Sequence, residues 1–449
     1  MHNPDVKTKQ TGVFGSLLTV RGFTNVGCLA VLVVGLVTLF AGYPIITAAL
    51  SKPFSNAGAY NIGGINASGQ LPDVGPFQLI DKDTPKSAYV HKSIETGEDW
   101  QLVFSDEFNR DGRTFWPGDD PYWEAEDYHY WSTQNLEWYD PKQITTRDGH
   151  LIITFTDRPN HGMNYSGGLM STWNRFCFTG GYIEASVSLP ANNQLPGMWP
   201  AVWTLGNLGR VGYGGTLDGV WPYSYDSCDV GTAKNQSIDG VPSFTPAMGD
   251  KWTNYDFSYQ PGQRLSRCTC KNSASMHPGP QHKDGTFVGR GAPEIDLFEA
   301  SVGSSDYKGD DLGYSQGEVS QSAQYAPFNP YYGYINTSTE YVDFYVPLSK
   351  GWPNAYQGGV YQQAVSAVMN TAQKCYTNLT GCYSAYGFEY ETGDNGYITW
   401  VNNGTKSWTI RGPAMGPNQY AQVGSRPVSQ EPMYIVVNLG MSPGFGYIE

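Results

Sequence analysis

The chain is short of charge. Lys, Arg, Asp and Glu together make up 15 % of its 449 residues, and acids outnumber bases 41 to 27, for a net charge of −14. A nucleic-acid partner is excluded on this count, because phosphate backbones require a dense basic face. No C-x-x-C pair, Walker loop or dinucleotide fingerprint occurs. That removes zinc ribbons, dithiol redox chemistry and nucleotide cofactors from consideration. Long amphipathic helices are also missing, and only Tyr361–Ala372 reads as helical. There is no internal repeat. What is abundant is aromatic and turn-forming: 32 Tyr, 19 Phe, 13 Trp, 54 Gly and 29 Pro. Many short strands joined by tight turns give such a count. Neutral polar ligands suit this surface, and sugars above all. Their C–H faces stack on indoles and phenols, and their hydroxyls reach Asn, Gln and Asp.

Residues 22–51 contain no charged side chain, and Val26–Leu50 is nearly all apolar. About 20 apolar residues cross a hydrocarbon core, and the run exceeds the core of a cleaved signal peptide. Pro44 is expected to bend or end it near the far side. Lys7, Lys9 and Arg21 precede it and Lys52 follows, which favours a cytoplasmic N-terminus. Sequons at Asn66, Asn164, Asn235, Asn336, Asn378 and Asn403 all lie beyond the run, on the side open to glycosylation. Of seven cysteines, Cys28 falls within the run. Cys177, Cys228, Cys268, Cys270, Cys375 and Cys382 suit three disulfides, of which Cys375–Cys382 is the simplest pair to propose. The expected organisation is a cytoplasmic tail (1–21), a transmembrane signal-anchor helix (22–50), a luminal stem (51–97) and a β-domain (98–449). Such an organisation is expected of a single-pass type II protein of the secretory pathway.

Strand patterns recur from Trp100. They cover Gln101–Phe104, His150–Thr156, Tyr182–Leu189, Tyr341–Val346, Gly396–Val401, Ser407–Ile410 and Met433–Leu439. In Tyr182–Leu189, Ile183, Ala185, Val187 and Leu189 alternate with Glu184, Ser186 and Ser188. Asn402-Asn403-Gly404 reads as a hairpin turn. Strands at this spacing with little helix indicate a sandwich or barrel. Tyr213–Pro280, rich in Gly, Pro and Ser with three cysteines, reads as a long insertion pinned by disulfides.

The most informative stretch is Pro293-Glu294-Ile295-Asp296-Leu297-Phe298-Glu299. On a strand, Glu294 and Asp296 share a face, and Glu299 falls on the other. One extra residue in a β-bulge near Leu297–Phe298 returns Glu299 to the first face. Three carboxylates would then line one wall. Retaining glycoside hydrolysis needs two carboxyl groups about 5–5.5 Å apart, one ionised and one protonated, and crowding like charges separates their pKa values. A solvated strand face or a carboxylate-lined calcium site carries similar acids. Two other patterns fail on context. Gly313-Tyr314-Ser315-Gln316-Gly317 lacks the apolar strand that a nucleophile elbow requires. His277 and His282 frame a Pro/Gly loop without further metal ligands.

With its neighbours the acidic stretch is more specific. PEIDLFE resembles the catalytic strand of glycoside hydrolase family 16. Leu102–Phe108 is similar to that family's first strand, and Gly181–Ala185 with Gly197–Trp203 to its strand-and-cleft block. GGINASGQ (63–70), LMSTWNRFCFTGGYIE (169–184) and SQSAQYAPFN (320–329) resemble the fungal β-glucan synthesis-associated subfamily, over roughly residue 44 to the end. The resemblance implies an all-β, concanavalin-like jelly-roll β-sandwich with a concave glycan cleft, preceded by a single transmembrane helix. It implies Glu294 as nucleophile, Glu299 as acid/base, Asp296 as assisting acid, and Trp199 and Trp203 as sugar-binding residues. It also implies a β-glucan partner in cell-wall β-1,6-glucan biosynthesis, alongside other wall-synthesis proteins, with no cofactor and no metal. The activity expected is that of a hydrolase or transglucosylase; a glucan-binding scaffold is the alternative. The family's usual last strand, similar to D-Y-V-R-V-Y-Q, is not found, and the tail before the span is short for the subfamily, so the chain reads as C-terminally incomplete.

Overall fold

The structure is a computed structural model that describes residues 19–50, 78–243, 268–269, 275–276, 279–303, 316–326, 334–354, 363–446 and 448. Asn66, Cys270, His277 and residues 51–77 of the expected stem lie outside this set. Two compact units divide at Asn56.

In the first unit, α1 (Val20–Val37) is capped by Thr19, whose Oγ1 accepts from the Gly22 N–H at 3.1 Å. Its apolar side chains are exposed throughout, and Gly22–Thr47 is long and apolar enough to cross a membrane. The run does not end at Pro44. The backbone passes through a π-type turn, Thr38–Gly42, and continues as α2 (Tyr43–Leu50). Proline removes one helical N–H and crowds the preceding turn, and widening that turn accommodates both effects.

The second unit is a jelly-roll sandwich. Its strands in chain order are β1 (Val90–Lys92), β2 (Asp99–Gln101), β3 (Glu124–Ala125), β4 (Tyr128–His129), β5 (Glu137–Tyr139), β6 (Ile144–Arg147), β7 (His150–Ile153), β8 (Tyr165–Ser171), β9 (Gly181–Val187) and β10 (Met198–Gly206). They continue with β11 (Glu294–Gly303), β12 (Gln316–Tyr325), β13 (Val342–Phe344), β14 (Gly351–Pro353), β15 (Gln363–Asn370), β16 (Ser384–Glu391), β17 (Tyr397–Asn402), β18 (Thr405–Arg411) and β19 (Met433–Met441). Among the described residues the larger sheet runs β14-β15-β12-β11-β10-β19-β8-β5-β4, with β3 beside β8. The smaller runs β13-β18-β17-β16-β9. Between them lies an apolar core that includes Val202, Ile295, Val319, Val365, Phe388 and Trp408. In β9, Ile183, Ala185 and Val187 pack against this core while Glu184 and Ser186 are exposed, the period-2 pattern of a half-buried strand. Asn403 and Gly404, both at positive φ, form the two-residue turn between β17 and β18.

Three expectations are corrected. Tyr361–Ala372 is not helical: from Gln363 it is β15, with Val365, Ala367 and Met369 all buried at period 2. Gln, Ala and Met favour helix locally, but pairing along all of β12 outweighs that preference. Gln101–Phe104 is not a strand either; pairing stops at Gln101, and Val103 is exposed. Of the disulfides, Cys375–Cys382 and Cys228–Cys268 are formed, the second pinning the insertion, but Cys177 is a free, exposed thiol. Asn164, Asn336, Asn378 and Asn403 are exposed and Asn235 is half-buried.

Candidate active site

β11 carries the three acids. Ile295 is buried in the inter-sheet core while Glu294 and Asp296 point to the opposite, outward face. The register then slips. Asp296 pairs with Trp203 and Phe298 with Val202, which leaves Leu297 without a partner on β10. On the other side, Leu297 and Phe298 together face the single residue Gln321, between the pairs Asp296–Ser322 and Glu299–Ser320. This is a one-residue bulge. Leu297 and Phe298 both enter the core, and Glu299 returns to the face of Glu294 and Asp296.

A bulge disturbs ladder hydrogen bonds, and buried side chains supply replacements here. Trp400 Nε1 donates to the Asp296 carbonyl at 2.8 Å. Gln321 Nε2 donates to the Leu297 carbonyl at 3.2 Å and to the Val401 carbonyl at 2.9 Å. Val401 sits at a register shift in the smaller sheet. Ser407 Oγ lies 2.6 Å from Gln321 Oε1 and 3.0 Å from the Trp400 carbonyl. Trp400, Gln321 and Ser407 are fully buried. One polar staple therefore ties the irregular points of both sheets together.

On the outward face, each acid has its own donor. Trp221 Nε1 donates to Glu294 Oε2, and Trp199 Nε1 to Glu299 Oε1 at 3.0 Å. Asp296 Oδ2 accepts from Ser322 Oγ at 2.6 Å and from Gln324 Nε2 at 3.4 Å. Burial pushes Glu294 well above the ordinary carboxylate range, and the charges of Asp296 and Glu299 push the same way. Glu299 is raised by burial and by Asp296. Asp296 is fully buried and pushed up to about 6, its donors and Glu294 opposing a larger rise. Glu294 and Glu299 keep an edge in solvent. The charge of Asp296 raises both glutamates, so the three acids titrate as a unit.

The proposed sugar-binding tryptophans are placed differently from each other. Trp199 is half-buried, with its N–H on Glu299 and one ring face stacked on Phe445, centroids 4.3 Å apart. Trp203 is buried and donates to Asn438 Oδ1 at 2.8 Å. Sequence reasoning missed Trp221, which lies in the irregular insertion where no periodicity marks it. It also missed Tyr130, whose phenol is raised by burial and by the charges of Glu294, Glu299 and Asp296. Ser322 and Gln324 had a signal: they alternate on β12 in phase with the acids. Among the described residues no group of three or more His, Cys, Asp or Glu side chains is arranged to hold a metal ion.

A family model described as β-glucan synthesis-associated protein SKN1/KRE6/Sbg1 matches residues 1–449. The chain belongs to this family. It is 42 % identical over 375 residues to the β-glucan synthesis-associated protein KRE6 of Saccharomyces cerevisiae, covering 83 % of this chain and 47 % of that protein. It is 40 % identical to SKN1 of Candida albicans, over 83 % of this chain and 45 % of that one. The chain thus spans about half the length of the curated relatives it matches. Among solved structures, the laminarinase of Rhodothermus marinus is similar with a TM-score of 0.40 at 16 % identity, covering 76 % of this chain and 86 % of that one. The endo-β-1,3-glucanase of Pyrococcus furiosus gives 0.41 at 15 %, covering 79 % and 88 %.

Proposed function

We propose that this family member is a membrane-anchored β-glucan hydrolase or transglucosylase of the retaining type, acting in fungal cell-wall β-1,6-glucan assembly. The observation that carries the reading is the bulge, which sets Glu294, Asp296 and Glu299 on one face with raised carboxyls. In this reading Glu294, once its proton has passed to Asp296, attacks the anomeric carbon. The glycosidic C–O bond breaks and Glu299 gives its proton to the leaving oxygen. An acceptor hydroxyl, from water or from another sugar, then loses its proton to Glu299 and displaces Glu294 from the glycosyl ester. The apolar helix supports a single-pass anchor, and the basic residues before it and the exposed sequons after it support a luminal active site.

The test is incubation of the protein with defined β-1,3- and β-1,6-gluco-oligosaccharides, with products read by mass spectrometry. Shorter products indicate hydrolysis and longer ones transfer. Glu294→Gln and Glu299→Gln are each expected to abolish turnover with the fold intact. Unaltered glucan that is nevertheless bound by the wild type would identify a glucan-binding scaffold and end the catalytic reading.

A further inference from the structure

The two glutamates of the site are held by indoles from different kinds of element. Trp199, on Glu299, belongs to β10 and pairs across to Gly440 of β19. Trp221, on Glu294, lies in no strand of the sandwich. It stands near the start of a strap, residues 220–227. The Ala292 N–H donates to the Val220 carbonyl at 3.0 Å, the Ala326 N–H to the Pro222 carbonyl at 3.1 Å and the Gly289 N–H to the Asp226 carbonyl at 2.7 Å. The Ser224 N–H donates back to the Ala326 carbonyl at 3.2 Å. Bridges pair Tyr223 with Ala326 and Ser227 with Val288. The strap thus joins the end of β12 to the segment that leads into β11, and Val220, Tyr223, Ser224 and Tyr225 are buried along it.

This approach is close enough to depend on two missing side chains. A Cβ at Gly291 would meet the Tyr223 carbonyl oxygen at 2.3 Å, and one at Gly289 would meet the Tyr225 carbonyl oxygen at 2.5 Å. Both obstacles are backbone, which cannot rotate aside. Neither glycine has a positive φ, so the requirement is room, not conformation. Trp221 is fixed at its base, where its N–H donates to the Thr216 carbonyl at 2.8 Å. Its ring packs against a buried cluster that includes Leu205, Ala292 and Tyr434. An indole offers a single N–H and no acceptor, and this one goes to Glu294.

From this geometry we infer that Trp221 is a positioning residue for Glu294: the strap aims its indole N–H, which fixes the carboxyl in the orientation from which it acts on the sugar. The inference rests on the proposed retaining, glucan-processing role of the same site. A donor to a carboxyl favours its ionised form, and a nucleophile must be ionised. The contact therefore works against the rise that burial and the neighbouring acids impose on Glu294. The titratable groups that face Glu294 are Asp296 and Glu299 on its own strand, with Tyr130 and Tyr434 on neighbouring elements. None of these four is altered in the variants below.

The experiment uses the full chain in detergent micelles. Kinetics on defined β-1,3- and β-1,6-gluco-oligosaccharides are compared for wild type, Trp221→Phe, Gly291→Ala and, as a control, Gly215→Ala, an exposed position where a Cβ meets nothing within 4 Å. Trp221→Phe and Gly291→Ala are expected to lower kcat about 10–100-fold with KM nearly unchanged. Both should also move the acidic limb of kcat/KM toward higher pH, because Glu294 has lost the donor that favours its charge. Gly215→Ala should change neither. A loss of kcat with the acidic limb unmoved would assign the strap to folding alone and overturn the inference, as would an unchanged kcat in Trp221→Phe. The second readout needs no turnover. In NMR of the chain carrying isotope-labelled tryptophan, the indole N–H signal that disappears in Trp221→Phe is followed against pH. It is expected to titrate in the wild type and to lose most of that titration in Glu294→Gln. A signal indifferent to Glu294→Gln would overturn the inference even in an active enzyme. A signal that follows Glu294 in a protein that leaves every glucan intact would uphold the positioning contact and sink the catalytic reading alone.

Discussion

Two sets of buried acids sit on the outward faces of the two sheets, and their surroundings are opposite. On the smaller sheet, Glu389 is fully buried and accepts from the Ile94 N–H at 2.6 Å, Ser93 Oγ at 2.7 Å and the Tyr397 hydroxyl at 2.7 Å. Beside it, Glu95 accepts from Thr399 Oγ1 at 2.8 Å and pairs with Lys406 and Arg411. Burial alone would raise Glu95, but Lys406, Thr399 and Arg411 outweigh it, and its pKa falls below the ordinary value. On the larger sheet, Glu294, Asp296 and Glu299 have indole, hydroxyl and amide donors, but among the described residues none of them forms an ion pair. Their pKa values rise. The first arrangement satisfies charge and holds the β1–β2 hairpin to the sandwich. The second leaves charge under-compensated.

The largest expected contrast comes from removing one acid from each set. Glu389→Ala strands at least three donors in a buried site, each costing about 1–3 kcal/mol. The expected outcome is a loss of about 3 kcal/mol or more in denaturant unfolding, with faster hydrogen exchange at the Ile94 amide. Glu294→Gln should do the reverse. A carboxyl whose pKa is raised by folding contributes stability at low pH that is lost as pH rises through its folded-state value. Removing that carboxyl therefore leaves Tm equal or higher at neutral pH. A drop in Tm on Glu294→Gln comparable to that of Glu389→Ala would mean the two sets are alike and both structural.

Only one side of this contrast was legible in the sequence, since nothing there marked Glu389 or Glu95. The alternation Glu294-Ile295-Asp296 and the apolar pair Leu297-Phe298 were enough to place a strand and its bulge, because a misplaced Glu299 has only one inexpensive remedy. Tyr182–Leu189 was readable for the same reason: strict alternation leaves one face to bury. Gln363–Asn370 was misread because its residues favour helix and its strand character comes from β12, far away in sequence. Trp221, Tyr130 and the staple of Gln321, Trp400 and Ser407 were invisible. Their partners are fixed by tertiary packing, and nothing periodic announces them. The carboxylates were therefore readable, but the groups that aim and enclose them were not.

The staple offers a second, smaller test. Gln321→Leu leaves the Leu297 and Val401 carbonyls without their side-chain donor, and Trp400→Phe does so for the Asp296 carbonyl. If these contacts set the position of Glu299, a shift of even about 1 Å costs up to roughly 100-fold in rate. The expected result is a fall in kcat of about 10–100-fold with KM nearly unchanged, since neither residue reaches the groove face. Equal losses in kcat and stability-limited activity, recovered fully at lower temperature, would assign the staple to folding alone.

The smallest effect concerns Lys406, which pairs with Glu95 and lies 4.0 Å from the Tyr345 ring centroid. The pair is partly solvated, so screening holds its contribution below about 1 kcal/mol. Its pH dependence is nevertheless opposite in sign to that of the groove acids. Glu95 is lowered by folding, so its contribution is present above its unfolded value of about 4.5 and is lost as pH falls through its lower folded value. Lys406→Met should therefore lower Tm slightly at pH 6 to 7, and the difference from wild type should shrink as pH drops below the ordinary carboxylate range. Added salt should shrink it too. A Tm difference that persists unchanged at low pH would show that the lysine acts by packing its stem on Tyr345, and that charge satisfaction on this face rests on Arg411 and the threonine hydroxyls instead.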